Sequence, residues 1–114
     1  AIRTMLSYCD FDVSMIEHVY VAGGIGSGIN MQNAVRIGMF PDVPLEKFHY
    51  IGNSSLTGAY LMLLSTQAEK KTYELAANMT YMELSTVPTY MDEFVGACFI
   101  PHTDASMFPN VHQR

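Results

Sequence analysis

The sequence has 114 residues, enough for one domain with a single modest core and too few for two deep ones. Hydrophobic residues make up 49% of it and charged ones 15%, a balance that points to a deeply buried sheet or to a surface covered by a partner. The net charge of −5 combines 11 acidic with 6 basic residues, and Arg3, Arg36, Lys47, Lys70, Lys71 and Arg114 form no cluster beyond one adjacent pair, which argues against a nucleic-acid partner.

In chain order, residues 2–8 read as the end of a helix, with Ile2, Met5 and Leu6 at i, i+3, i+4 spacing, followed by an acidic turn. His18-Val19-Tyr20-Val21-Ala22 has the nearly continuous apolar character of a strand covered on both faces and runs into Gly23-Gly24-Ile25-Gly26-Ser27-Gly28. Asn30 is placed to cap a helix whose Met31, Ala34 and Val35 face inward, with Gly38 as its stop and Pro41 blocking any resumption. Phe48-His49-Tyr50-Ile51 reads as a second strand ending at Gly52. Asn53 or Ser54 then caps a helix in which Leu56, Ala59, Tyr60, Leu63 and Leu64 form a broad stripe expected to be buried. Gly58 inside that helix predicts a close approach by another group.

Thr66-Gln67-Ala68-Glu69 has the form of a capping box, so a further helix is expected from about Gln67 toward Met79. Residues 80–85 alternate as a half-buried strand does. Pro88 fits the first turn of a last helix that points Met91, Phe94, Val95 and Cys98 one way and ends at Pro101. The division expected is a body over 1–101 and an irregular tail over 102–114. No stretch is long and apolar enough to span a bilayer and no signal segment opens the chain, so a cytoplasmic protein with no membrane partner is expected. The opening Ala-Ile-Arg-Thr, without Met and already helical in character, reads as a piece of a longer protein.

Chemistry is concentrated in the glycine turn. Glycine lets backbone N–H groups approach a phosphate or sugar where a Cβ would collide. The turn is no dinucleotide fingerprint, because Gly24-Ile25-Gly26-Ser27-Gly28-Ile29 lacks the last glycine of G-x-G-x-x-G, and it is no P-loop, because no Gly-Lys-Ser/Thr follows. A second glycine-marked strand end, Gly52-Asn53-Ser54-Ser55-Leu56-Thr57-Gly58-Ala59, also opens a helix. If the two strands are parallel neighbours, both turns border one crevice beyond the strands' carboxyl ends, where helix N-termini favour an anion.

Val19-Tyr20-Val21-Ala22-Gly23-Gly24-Ile25-Gly26, Ile37-Gly38-Met39-Phe40-Pro41-Asp42, Ile51-Gly52-Asn53-Ser54-Ser55-Leu56-Thr57-Gly58-Ala59, Glu83-Leu84-Ser85 and Glu93-Phe94 together resemble the C-terminal part of the reductive activators of corrinoid proteins. The resemblance runs from about Glu17 to Pro101. It implies an α/β fold with a small mixed, partly parallel sheet flanked by helices, the C-terminal subdomain of an actin-like (ribonuclease H-like) ATPase fold. It also implies a role in anaerobic metabolism, in which a ferredoxin-type iron–sulfur domain and an ATPase domain use ATP to reduce the cobalt of a corrinoid protein. By this resemblance Gly23, Gly24, Ile25, Gly26 and Ser27, with Asn53 and Ser55, contact the adenosine of ATP. Actin-like ATPases hold magnesium and phosphates with Asp-x-Gly turns, and none occurs in these residues. The resemblance therefore puts Mg-phosphate binding and the iron–sulfur cluster upstream, makes the upstream half and the corrinoid protein the partners, and leaves this chain no catalytic residue and no reaction of its own.

The remaining candidates have plainer readings. Cys9 and Cys98 stand in no C-x-x-C pattern and are expected as buried thiols. His18, His49, His102 and His112 lack helical metal-pair spacing, so no metal site is expected. Met31, Met62, Met79 and Met91 are expected in the core, and Asp92 and Glu93 in the first turn of the last helix, complementing its dipole. The alternative to nucleotide binding is a stand-alone interaction or dimerisation module, and a homodimer of the fragment through uncovered apolar surface is a further expectation.

Overall fold

Short-range hydrogen bonds explain most of the element boundaries. In the computed structural model, which describes residues 1–111, Asn30 Oδ1 accepts from Asn33 N at 3.0 Å and starts helix α3 (Met31–Arg36). The helix ends where Gly38 takes φ +77°, with Gly38 N donating to Val35 O and Met39 N to Ala34 O, both at 2.9 Å. That paired closure satisfies two otherwise orphaned carbonyls. Helix α1 (Ile2–Tyr8) closes the same way, through Asp10 N to Ser7 O at 3.2 Å and Phe11 N to Leu6 O at 2.8 Å, but with a non-glycine residue, Asp10, at φ 57°.

Strands β1 (Val19–Ala22) and β2 (Phe48–Gly52) form a parallel two-stranded sheet. Each runs into a helix: β1 into α2 (Gly24–Gly28), so that the glycine turn is itself one short helix, and β2 into α4 (Ser54–Leu64). Helices α5 (Thr66–Ala77) and α6 (Tyr90–Gly96) follow, and single 3₁₀ turns occupy Val13–Met15, Leu45–Lys47, Leu84–Thr86 and Ala105–Met107. This is the expected α/β class with a small, partly parallel sheet.

The chain forms two compact units whose boundary falls inside both strands. The first comprises Ala1–Val19, Ile29–His49 and residues 82–111. Its core holds Ala34, Val35, Val43 and Phe108, together with Thr4, which is 1% exposed. Arg3 of α1 reaches Glu93 of α6 at 3.1 Å, so Glu93 pairs with a cation as well as lying in its helix's first turn. Asn110 N donates to Asp42 Oδ2 at 2.7 Å, and Phe108 is buried, so the described part of the C-terminal segment contributes to this core. The last three positions of the expected tail, with His112, lie outside the described residues. The second unit, Tyr20–Gly28 and Tyr50–Tyr81, is built on the packed pair α4 and α5 behind the two glycine turns.

Several expectations are corrected. Strand β1 alternates between half-buried and exposed residues instead of being covered on both faces. The cap of α5 is Ser65, whose Oγ accepts from Ala68 N at 3.2 Å; this puts Glu69 one position beyond the reach of a capping box. Residues 80–85 form no strand. Ser85 Oγ donates to Glu83 Oε1 at 2.7 Å and Thr86 Oγ1 to Glu83 O at 2.8 Å, and these local bonds curl the chain into a 3₁₀ turn. Pro88 precedes the N-cap Thr89 of α6, and Cys98 lies past the helix end.

The apolar stripe of α4 is present at the expected spacing but uncovered: Leu56, Tyr60 and Leu64 are exposed and Leu63 is 86% exposed. Apart from its chain neighbours and its own helix backbone, no described residue comes within 4 Å of a Cβ placed on Gly58. Met79 and Met91 are likewise exposed rather than in the core, while Met31 and Met62 are half-buried. Both cysteines are exposed free thiols, because Cys9 caps the C-terminus of α1 and Cys98 follows α6, its Sγ donating to Phe94 O at 3.4 Å.

Candidate nucleotide-binding site

Both strand ends reverse through glycine. Gly23 takes φ +84° and Gly52 φ +68°, values that a Cβ disfavours. Gly23 N donates to Gly52 O at 2.8 Å, and Tyr50 Oη donates to Gly23 O at 3.0 Å. The two reversals therefore lie side by side at the same end of the sheet. Beyond them Ser27 Oγ donates to Gly24 O at 2.7 Å across α2, and Asn53 Oδ1 accepts from Leu56 N at 3.0 Å to cap α4. Thr57 Oγ1 adds a bond to Asn53 O at 3.1 Å, and Ser55 is exposed in the first turn of α4.

The glycines of α2 answer different demands. Gly26 is buried, and a Cβ there would lie 2.5 Å from the Tyr50 ring and 3.0 Å from Val21 Cγ1, so packing requires it. Gly24 has neither a positive φ nor any neighbour within 4 Å of where its Cβ would stand. Its bare backbone is open to an incoming group, and Ile25 beside it is 72% exposed. The fold alone accounts for Gly23, Gly52 and Gly26; it does not account for Gly24, nor for Gly28, which likewise has no positive φ and no neighbour within 4 Å of a Cβ.

A scan against protein-family models matches residues 1–112 to the family described as "C-terminal domain of RACo the ASKHA domain". The chain belongs to this family. A curated relative of the RACo C-terminal domain chain is "Corrinoid activation enzyme RamQ" of Eubacterium limosum, 32% identical over 82 residues, which are 72% of this chain and 14% of that protein. Among solved structures, "Reductive activator for corrinoid,iron-sulfur protein" superposes with a TM-score of 0.89 at 50% identity, over 96% of this chain and 17% of that one. The family, the identity and the superposition agree with the resemblance carried by the glycine-turn motifs. The chain spans less than a fifth of the length of either relative.

In this RACo-type domain the structure brings all seven expected positions, Gly23, Gly24, Ile25, Gly26, Ser27, Asn53 and Ser55, into the second unit around the joined turns. They offer backbone donors, hydroxyls and an amide, and none carries an ionisable side chain. Such a set can hold and orient a ligand but has no acid, base or thiol with which to break a bond. The carboxyl groups held below the ordinary aspartate value of 3.8 are elsewhere, Asp12 by its bond to Ser14 and Asp104 by its bond to Ser106, each starting a 3₁₀ turn of the first unit.

Two features were not anticipated from the sequence. Tyr50 anchors the glycine turn by both its hydroxyl and its ring, a role signalled only by its place two residues before Gly52. His18 and His49, 31 residues apart, meet at 2.9 Å, a pairing that no spacing rule for helices reveals. Among the described residues no three His, Cys, Asp or Glu side chains converge. None of the described helices is long and apolar enough to cross a membrane.

Proposed function

We propose that the two glycine turns hold the adenosine part of ATP in an ATP-driven reductive activator of a corrinoid protein, with this chain supplying binding and positioning. The observation that carries the reading is the direct bond from Gly23 N to Gly52 O, which sets two strand-to-helix turns against one another with the unobstructed Gly24 backbone between α2 and solvent. The family membership and the printed names of the relatives support the corrinoid role.

In this reading Mg²⁺ and the phosphates of ATP are held by residues outside this chain, which has no Asp-x-Gly turn. An iron–sulfur cluster belongs to another domain of the same protein, since Cys9 and Cys98 are separate exposed thiols. The partners are that remaining part of the protein and the corrinoid protein, in the cytoplasm. The exposed apolar residues of α4, Leu56, Tyr60, Leu63 and Leu64, supply a partner surface.

Titration with ATP tests this. The isolated chain should bind weakly or not at all, and a protein carrying the domains of the longer relatives should bind at a level that Gly24→Val reduces. Unchanged affinity in the Gly24→Val protein would remove the adenosine role while leaving the family membership intact.

The exposed α4 stripe also favours a second reading, an interaction or dimerisation module in which the turns serve packing only. It predicts a dimer of the chain that Leu63→Glu dissolves, measurable by sedimentation, and no effect of nucleotide on the turns.

A further inference from the structure

We propose that His18 and His49 form a chelating pair for a divalent transition-metal ion, Cu²⁺ in preference to Zn²⁺. The inference is independent of the nucleotide reading. His18 Nδ1 and His49 Nε2 are 2.9 Å apart, with ring centroids 4.9 Å apart and planes tilted by 52°. The approach is built into the backbone: His49 is the second residue of β2, His18 immediately precedes β1, and the Lys47 ammonium donates to the Ile16 carbonyl, tying the segment before β1 to the start of β2.

The order of divalent affinities on nitrogen ligands peaks at Cu²⁺, ahead of Zn²⁺.

The proton balance is simple. In the hydrogen-bonded pair one ring donates its N–H to the other's lone pair. To bind the ion, that donor ring moves its proton to its other nitrogen and both rings turn so that two lone pairs converge; a neutral pair releases no net proton, and a singly protonated pair releases one. Among the described residues no third His, Cys, Asp or Glu converges on the pair. Of the nearby charges, Lys47 opposes a cation, and Glu17 and Glu46, its sequence neighbours on the two segments, offset it.

Titration of the untagged chain with CuCl₂ and ZnCl₂, with electron paramagnetic resonance of the Cu²⁺ form, provides the test. One equivalent of Cu²⁺ should bind more tightly than Zn²⁺ and show coupling to two imidazole nitrogens. His18→Gln and His49→Gln should each weaken binding by about tenfold or more, since even an outer partner of a metal ligand is worth that much, while His102→Gln leaves it unchanged. Circular dichroism of each metal-free variant separates lost ligation from lost folding. The proposal is overturned by binding that survives His18→Gln/His49→Gln, by Zn²⁺ binding more tightly than Cu²⁺, or by a wild-type spectrum lacking two imidazole nitrogens, a readout that needs no variant to fold.

Discussion

The amide of Gly23 and the carbonyl of Gly52 are joined at 2.8 Å while both residues hold positive φ, so each glycine turn is braced by the other. A side chain at either position strains the shared conformation. Gly23→Ala should cost about 1–2 kcal/mol, the usual penalty for a Cβ in the left-handed region, and thermal unfolding measures it. An unchanged melting temperature would mean that the two reversals are not coupled in this way.

Gly26 and Gly24 separate packing from binding. Gly26→Ala drives a Cβ to 2.5 Å from the Tyr50 ring and should destabilise the chain by about 1–3 kcal/mol, as overpacking does. Gly24→Ala meets nothing within 4 Å and should leave stability unchanged or raise it by up to about 1 kcal/mol through helix propensity. Denaturant midpoints of the two variants should therefore move in opposite directions or only the first should move.

Asp10 occupies a position that glycine fills more easily. It closes α1 at φ 57° with the same two backbone bonds that Gly38 makes for α3. Asp10→Gly should stabilise the chain by about 1 kcal/mol, read as a higher denaturant midpoint at constant slope. A loss of stability would show that the Asp10 side chain contributes more than its backbone strain removes.

Acid should weaken the 3₁₀ turn at Ala105–Met107. The Asp104 carboxylate accepts from Ser106 Oγ at 2.6 Å and from Ser106 N at 2.9 Å, and these bonds, the hydroxyl first, hold its pKa below 3.8. Because the folded value is the lower one, this stabilisation is present above pH 3.8 and is lost as pH falls through the folded value. The Asp104 carboxyl carbon should titrate below 3.8 by NMR and move back toward it in Ser106→Ala.

Legibility in the sequence followed the range of the interactions. Asn30, Asn53 and Gly38 were readable as caps because their work is done within a few residues of backbone. The turns at Gly23 and Gly52 were readable because positive φ selects glycine. Residues 80–85 were misread because alternation describes a strand only when a neighbour pairs with it, and Glu83 instead collected the nearby hydroxyls. The α4 stripe was correct in spacing and wrong in burial: periodicity reports that a face is apolar and says nothing of which body covers it. His18 and His49 were invisible because only the parallel pairing of β1 and β2 brings them together. The candidate site emerged because its seven positions lie in two local motifs, while the Tyr50 anchor required knowing that those motifs touch.

The central claim is that the bare backbone at Gly23 to Gly26 meets the adenosine of ATP. Amide hydrogen exchange across those residues, with and without ATP, in a protein that also carries the phosphate-binding half, tests it most directly. The account predicts slower exchange at Gly24 and Ile25 when ATP is bound, with little change in the helix α5. Exchange at Gly24 and Ile25 that ATP leaves untouched, in a protein shown by titration to be saturated, would contradict it.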